Sequence, residues 1–159
     1  MKASQTLINH IKRSEGCRLT AYQDTAKVWT IGYGHTSGVK RGDRITQSQA
    51  EEYLRQDLAT FEQYVTKNCP RANTQGKFDA LVDFTYNLGT GKYAASTLRR
   101  YIDAGRKTAD IQREFLKWVY AGGTVLDGLY SRRIWEAARW NEYDTETTDN
   151  RDSDSSPRG

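Results

Sequence analysis

The spacing of apolar residues separates the chain into helical and extended stretches. A helix is predicted over residues 4–14, because apolar side chains recur on one face: Leu7, Ile8 and Ile11. Gly16 lies just beyond this segment and can end the helix. From residue 18 to residue 44 the helical period is lost, and aromatic and β-branched residues are interspersed with glycines. This stretch predicts a small antiparallel sheet of two or three short strands.

Helical spacing returns at Thr46 and continues almost to the end of the chain. Thr46 and Gln49 have the spacing of a capping box, which predicts the start of a long helix. The apolar positions of that helix recur every three or four residues: Ala50, Leu54, Leu58, Phe61 and Val65. After Pro70, further helices are predicted over four segments: residues 78–88, 96–105, 110–123 and 129–143.

These elements predict an α+β fold. A small N-terminal lobe with the short antiparallel sheet is joined by the long helix to a larger all-helical C-terminal lobe. We expect one domain over residues 1–143, with about 15–60 in the small lobe and about 61–143 plus the first helix in the helical lobe. A groove between two lobes is a common place for a ligand. Residues 144–159 contain no aliphatic side chain, so we expect an acidic, disordered tail.

The composition argues against several classes of protein. Of the 159 residues, 36% are hydrophobic, and no apolar run approaches the roughly 20 residues that cross a bilayer, so we expect no stable membrane anchor. His10, Lys12 and Arg13 interrupt the N-terminal stretch, so we expect no secretory signal and accumulation in the cytoplasm. Cys17 and Cys69 lack metal-binding spacing. We therefore expect no metal site and no cofactor. A reducing compartment favours two free thiols, with a single disulfide as the alternative.

Charge is unevenly distributed along the chain. The net charge is +4, but residues 144–159 hold five acids and two arginines, which leaves 22 bases against 15 acids in the rest. A basic body suits a polyanionic partner such as a nucleic acid, a membrane surface or an acidic polymer, although solubility alone also explains it. The basic residues are dispersed and no nucleic-acid-binding motif accompanies them, so we expect no nucleic-acid partner.

The chemistry of a site is concentrated between residues 14 and 36. Glu15 ends the first predicted helix, where the helix dipole and any neighbouring apolar wall would favour a protonated carboxyl, as a general acid requires. Asp24 follows in a turn that can keep it ionised, and Thr30 on the next strand can hold a water. An acid, a carboxylate and a water-holding hydroxyl suit glycosidic cleavage by direct water attack. Taken alone, such residues are also common on ordinary surfaces.

The spacing of these three residues resembles a known catalytic signature. Eight residues separate Glu15 from Asp24, and five separate Asp24 from Thr30. This spacing resembles the E-x8-D-x5-T pattern of the phage-type lysozymes, the endolysins of glycoside hydrolase family 24. The flanking segments SEGCRLTAYQD and VWTIGYGHT resemble the same family. Four later segments do so in the same order: ITQSQAEEYL, FDALVDFTYNLGTG, STLRRYIDAG and GLYSRRIWEAARW. The likeness covers about residues 3–143 and implies a lysozyme-like fold.

The resemblance implies a muramidase, which hydrolyses the β-1,4 bond between N-acetylmuramic acid and N-acetylglucosamine in peptidoglycan. Carried over to this sequence, Glu15 would protonate the leaving oxygen. Asp24 and Thr30 would orient or activate the attacking water, with inversion at the sugar carbon. Whether Asp24 acts as a base or as an electrostatic stabiliser stays open.

Further residues are candidates for supporting roles. His35 resembles a family histidine near the catalytic acid, and its expected role is to hold the hairpin. Arg133 or Arg132 resembles the arginine that pairs with the catalytic glutamate, where its charge would oppose the effect of the helix dipole. Three residues are candidates for lining the cleft, with core or turn roles as the alternative: Tyr22, Gly32 and Asn87.

Two other functions are weighed against hydrolysis. A lytic transglycosylase cuts the same bond with one acid and leaves a 1,6-anhydro ring, and the presence of Asp24 and Thr30 argues against it. A non-catalytic protein would use the basic last helix on a wall or membrane surface. The endolysin resemblance also implies synthesis in a bacterial host's cytoplasm, release to the wall through a holin during cell lysis, and a monomer.

Overall fold

The computed structural model describes residues 1–142, and the predicted tail over 144–159 lies outside the described residues. The described chain divides into two compact units. We call residues 8–60 the sheet unit, and residues 1–7 with 61–142 the helical unit. Two helices, α1 (Gln5–Glu15) and α2 (Gln47–Asn68), each run from one unit into the other along the chain.

The sheet unit contains one hairpin of two antiparallel strands, β1 (Arg18–Gln23) and β2 (Trp29–Gly32). Tyr22 lies opposite Thr30, and the register shifts between Arg18 and Tyr22 as in a β-bulge. The prediction of a small antiparallel sheet in this region is confirmed. Apolar residues of α1, β2 and α2 within this unit are buried: Ile8, Ile11, Ile31, Ala50, Leu54 and Leu58.

Side-chain caps define the starts of α1 and α2. The Ser4 hydroxyl accepts a hydrogen bond from the Leu7 N–H at 3.1 Å at the start of α1. At α2 the Thr46 hydroxyl accepts from the Gln49 N–H at 3.1 Å, and Gln49 Oε1 accepts from the Thr46 N–H at 2.9 Å. This reciprocal pair is the predicted capping box.

The helical unit holds five further helices: α3 (Gln75–Leu88), α4 (Thr90–Ala94), α5 (Thr97–Asp103), α6 (Thr108–Phe115) and α7 (Asp127–Trp140). Its apolar centre is built around Phe84, which is fully buried. The ring of Phe84 makes edge contacts with three other aromatic side chains: Tyr93, Phe115 and Trp118. The predicted buried helix over residues 78–88 is confirmed, because most of α3 is inaccessible to solvent.

Helices α3 and α7 are joined by a buried polar ladder. Its α3 members, Asp79, Asp83 and Asn87, recur every four residues and so lie on one helix face. Each of them binds one arginine of α7. Arg139 Nη2 lies 2.7 Å from Asp79 Oδ2, Arg132 Nη2 lies 2.9 Å from Asp83 Oδ1, and Arg133 Nη2 lies 2.8 Å from Asn87 Oδ1. Charges this deeply buried require such partners.

The C-terminal region differs from the predicted all-helical lobe. The helix predicted over residues 110–123 ends early, and a second hairpin follows it, formed by β3 (Tyr120–Ala121) and β4 (Thr124–Val125). Gly122 and Gly123 have φ values of 60° and 82° and form its two-residue turn. The prediction used this glycine pair as a helix end, whereas consecutive positive φ angles suit a tight hairpin. None of the helices within residues 1–142 is long and apolar enough to cross a membrane.

Candidate active site

Glu15 is the last residue of α1. The next residue, Gly16, has φ +69° and donates its N–H to the Lys12 carbonyl at 3.1 Å, which ends the helix as predicted. The Glu15 side chain is exposed to solvent, so the apolar wall expected beside it does not bury it.

Asp24 is fixed by the tight turn between β1 and β2. Its Oδ1 atom accepts hydrogen bonds from the N–H groups of Ala26 and Val28 at 2.8 and 2.9 Å. The turn also requires a left-handed backbone at Lys27, with φ 62°, the sole non-glycine residue within 1–142 with a positive φ. A short polar side chain at position 24 is therefore part of the turn itself. Asp24 is exposed to solvent, and both hydrogen bonds are accepted by the same carboxyl oxygen, Oδ1.

Thr30 lies on β2 and is buried. Its hydroxyl donates to the Val28 carbonyl at 2.9 Å. Since the hydroxyl hydrogen is used in this bond, the oxygen presents its lone pairs as hydrogen-bond acceptors. Thr30 can therefore accept a hydrogen from a water molecule but is not oriented to donate one to it.

The backbone of Val28 connects Asp24 to Thr30. Its carbonyl accepts from the Asp24 N–H at 3.0 Å as well as from the Thr30 hydroxyl, and its N–H donates to Asp24 Oδ1. Two acceptor groups, a carboxylate and a hydroxyl oxygen, are thus held by one residue of the hairpin. A water that donates one hydrogen to each would keep a lone pair for attack on an electrophilic carbon.

His35 holds the segment after β2. Its backbone N–H and carbonyl both pair with Ile31, at 2.9 and 2.8 Å. Its Nδ1 lies 2.9 Å from Asp57 Oδ2, and its ring stacks on Tyr53 with 4.4 Å between centroids. These contacts support the predicted role of holding the hairpin. Sequence reasoning missed Asp57 and Tyr53, because nothing local distinguishes them from other polar positions on a long helix.

Gly32 and Tyr22 have structural contacts in the sheet unit. Gly32 has φ +65°, and a Cβ atom there would lie 3.4 Å from the Ala50 Cβ, so a side chain would be strained and tightly packed. The ring of Tyr22 lies under the guanidinium of Arg18, with 4.4 Å from Cζ to the ring centroid. Both residues therefore make turn or packing contacts. Such a role was the predicted alternative to lining the cleft.

Arg133 belongs to the helical unit and is completely buried. Its Nε lies 2.7 Å from Glu136 Oε1, and it also binds Asn87 as the last rung of the α3–α7 ladder. Burial raises the pKa of Glu136 well above its ordinary value, and the neighbouring Asp83 carboxylate raises it further. Arg132 forms its own ion pair with Asp83. The sequence did not identify Glu136 as a partner of Arg133.

Comparison with known proteins identifies the family. A family model described as "Phage lysozyme" matches residues 12–136, which include Glu15, Asp24 and Thr30. The chain belongs to the phage lysozyme family. The resemblance inferred from the sequence is therefore confirmed.

Proteins with similar sequences and structures are known. The chain is 45% identical over 144 residues to an endolysin of Bacillus phage PZA, covering 89% of this chain but 55% of that protein. It spans about half the length of the two Bacillus phage endolysins that it matches.

Among solved structures, the muramidase domain of SpmX from Asticaccaulis excentricus superimposes with a TM-score of 0.81 at 32% identity, covering 89% of this chain and 98% of that domain. An endolysin from Escherichia coli O157:H7 phage FAHEc1 superimposes with a TM-score of 0.80 at 35% identity, covering 91% of this chain and 96% of that chain. The predicted lysozyme-like α+β fold is thereby confirmed.

Proposed function

We propose that this protein is a muramidase, a glycoside hydrolase that cleaves the β-1,4 bond between N-acetylmuramic acid and N-acetylglucosamine in peptidoglycan. The observation that carries the proposal is the hairpin between β1 and β2, where the backbone of Val28 binds both the Asp24 carboxylate and the Thr30 hydroxyl. Glu15 at the end of α1 supplies a carboxyl in the same unit. Names among the relatives, endolysin and muramidase domain, support the same chemistry.

The proposed reaction is a single displacement. Glu15 gives its proton to the glycosidic oxygen as the bond to the sugar carbon breaks, and the positive charge that develops on the ring favours attack. The water donates a hydrogen bond to the Thr30 hydroxyl oxygen and gives its other proton to Asp24 as its oxygen bonds to the sugar carbon. In the alternative, Asp24 only stabilises the transition state and that proton passes to solvent. The sugar carbon is inverted. Such a geometry requires the two carboxyl groups to be about 6.5–9.5 Å apart in the complex.

The chemical test is the mass of the released fragments. Purified peptidoglycan is digested with the wild-type protein and with Glu15→Gln, and the muropeptides are analysed by mass spectrometry. Hydrated muramic acid ends, absent for Glu15→Gln, are the expected result. Anhydro ends would identify a lytic transglycosylase, and lysis of cells that survives the substitution without muropeptide release would identify a non-catalytic wall- or membrane-active protein.

The biological role that we propose is host cell lysis by a phage or prophage endolysin. The protein would accumulate as a monomer in the host cytoplasm and reach peptidoglycan after a holin permeabilises the membrane. Endolysin relatives support this role. Co-expression with and without a holin tests it: lysis should require both proteins, and lysis by this protein alone would contradict the dependence.

A further inference from the structure

A cavity of about 170 Å³ opens in the helical unit. It lies between the start of α3, the connection from α5 to α6 and the end of α7. None of its lining residues belongs to the candidate triad of Glu15, Asp24 and Thr30. Three cationic side chains line it: Arg71, Lys77 and Arg106. None of the residues within 1–142 that line this cavity is acidic, so its lining carries a net positive charge.

Arg71 is held in place across the turn that follows α5. Its Nε–H donates to the Asp103 carbonyl at 3.1 Å. The guanidinium lies so close to Gly105 that a Cβ atom there would approach Nη1 to 2.9 Å, and Gly105 also has φ +68°. A glycine at this position therefore allows the guanidinium to lie against the backbone, at the edge of the cavity.

The other two cations rest on aromatic rings. Lys77 Nζ lies 5.4 Å from the ring centroid of Trp140, which is buried, and Arg106 Cζ lies 4.2 Å from that of Tyr101. Within residues 1–142, neither Arg71 nor Lys77 forms an ion pair. Arg106 is 3.4 Å from Asp110, but that carboxylate also binds Arg113 at shorter range. The positive charge is therefore only partly balanced.

The start of α6 adds a further feature at the same cavity. Thr108, the first residue of this eight-residue helix, is among the lining residues. The N-cap residue, Lys107, makes no side-chain capping bond. The positive end of the helix dipole favours an anion at such a position, and Asp110 in the first turn supplies one negative charge there.

We propose that this cavity binds a phosphate group. Arginine presents paired N–H donors that match phosphate oxygens, and lysine adds a compact charge, so three cations around a small cavity suit a tetrahedral oxyanion. Two sources share this chemistry: free inorganic phosphate, and the phosphodiester groups of an anionic wall polymer. The proposal is independent of the catalytic assignment, since no residue of the candidate triad takes part.

The test is a titration of isotopically labelled protein, residues 1–159, with inorganic phosphate, followed by amide NMR at low and constant ionic strength, with chloride as the reference anion. Saturable shifts at Gly105 and Thr108 are expected. Removing one charge-assisted hydrogen bond in Lys77→Gln should weaken phosphate binding about tenfold. The matched control is Lys92→Gln, an exposed lysine of the same unit, which should bind as the wild type does.

The five acids of residues 144–159 could compete for the cavity, so the titration is repeated with all five replaced by their amides. Shifts that do not saturate in either protein, or equal affinities in Lys77→Gln and Lys92→Gln, would overturn the proposal.

Sedimentation with cell walls distinguishes the sources, using Glu15→Gln protein to prevent digestion. If the ligand is the wall polymer, Lys77→Gln reduces binding to intact walls but not to walls stripped of phosphodiester. If the source is free phosphate, Lys77→Gln lowers binding to neither wall preparation.

Discussion

Substitution can separate the turn contacts of Asp24 from the catalytic role that we propose for its charge. Asparagine keeps an oxygen that can accept the N–H bonds of Ala26 and Val28, whereas alanine removes the acceptor as well as the charge. We therefore expect Asp24→Asn to unfold near the wild-type temperature but to lose at least about 100-fold in turnover on peptidoglycan. Asp24→Ala should lose activity and also unfold at a lower temperature. An Asp24→Asn protein with nearly full activity would show that the charge takes no part in the reaction.

Thr30 allows a similar separation of the hydroxyl from the methyl group. Thr30→Ala removes the acceptor for the water and should lower turnover about 100-fold, while Thr30→Ser retains the hydroxyl and should keep most of the activity. Steady-state rates on purified peptidoglycan, with thermal unfolding of both variants, provide the measurement. Equal losses in alanine and serine variants of equal stability would mean that the hydroxyl is not what the reaction uses.

At the scale of single elements, the capping box of α2 offers a quantitative check. Thr46→Ala removes the acceptor for the Gln49 N–H and should lower the free energy of unfolding by about 1 kcal/mol. Ser48→Ala, two residues on and also exposed, is the matched control and should change it little. Urea denaturation measures both. A cost for Ser48→Ala as large as that for Thr46→Ala would mean that the loss of stability does not come from the capping hydrogen bond.

Local elements were the ones that the sequence could predict. The Thr46–Gln49 cap, the ends of α1 and α3 and the first hairpin depend on residues a few positions apart, and all were anticipated. Other contacts join residues more than 20 positions apart, as in the pairing of His35 with Asp57 and in the α3–α7 ladder. The pattern of a single sequence does not predict which distant residues will meet. The second hairpin was missed because two adjacent glycines suit a helix end as well as a turn.

Glu15, Asp24 and Thr30 were predicted as site residues for a different reason. Their spacing matched a family pattern, which is visible in the sequence itself. Their contacts in the folded protein are not. The sequence did not provide the physical link between Asp24 and Thr30, because Val28 contributes only backbone atoms to it. Any residue except proline at position 28 offers the same N–H and carbonyl groups, so side-chain chemistry carries no signal for this role.

At the scale of the whole molecule, the buried carboxyl of Glu136 should make stability depend on pH. Burial, together with Asp83, raises its pKa well above the ordinary value of 4.5, although Arg133 acts in the opposite direction. The native state therefore holds this proton at pH values where the unfolded chain has lost it. The contribution to stability is present below about pH 4.5 and is lost as pH rises through the native-state pKa.

Glu136→Gln lacks this titration. The free energy of unfolding of Glu136→Gln minus that of the wild type should therefore increase as pH rises from 4 to 8, whatever the constant effect of the substitution. Urea denaturation across this range measures the difference. Parallel pH profiles for the two proteins would contradict the assignment of a raised pKa to Glu136.

The central claim is that a water held by Asp24 and Thr30 attacks the sugar carbon directly. The most direct measurement is the anomeric configuration of the first product, recorded by proton NMR on a soluble peptidoglycan fragment before mutarotation proceeds. Direct attack on a β-linked substrate predicts that the α-anomer of the new reducing end appears first. Initial appearance of the β-anomer would reveal a covalent or substrate-assisted intermediate, and the roles given to Asp24 and Thr30 would then be wrong.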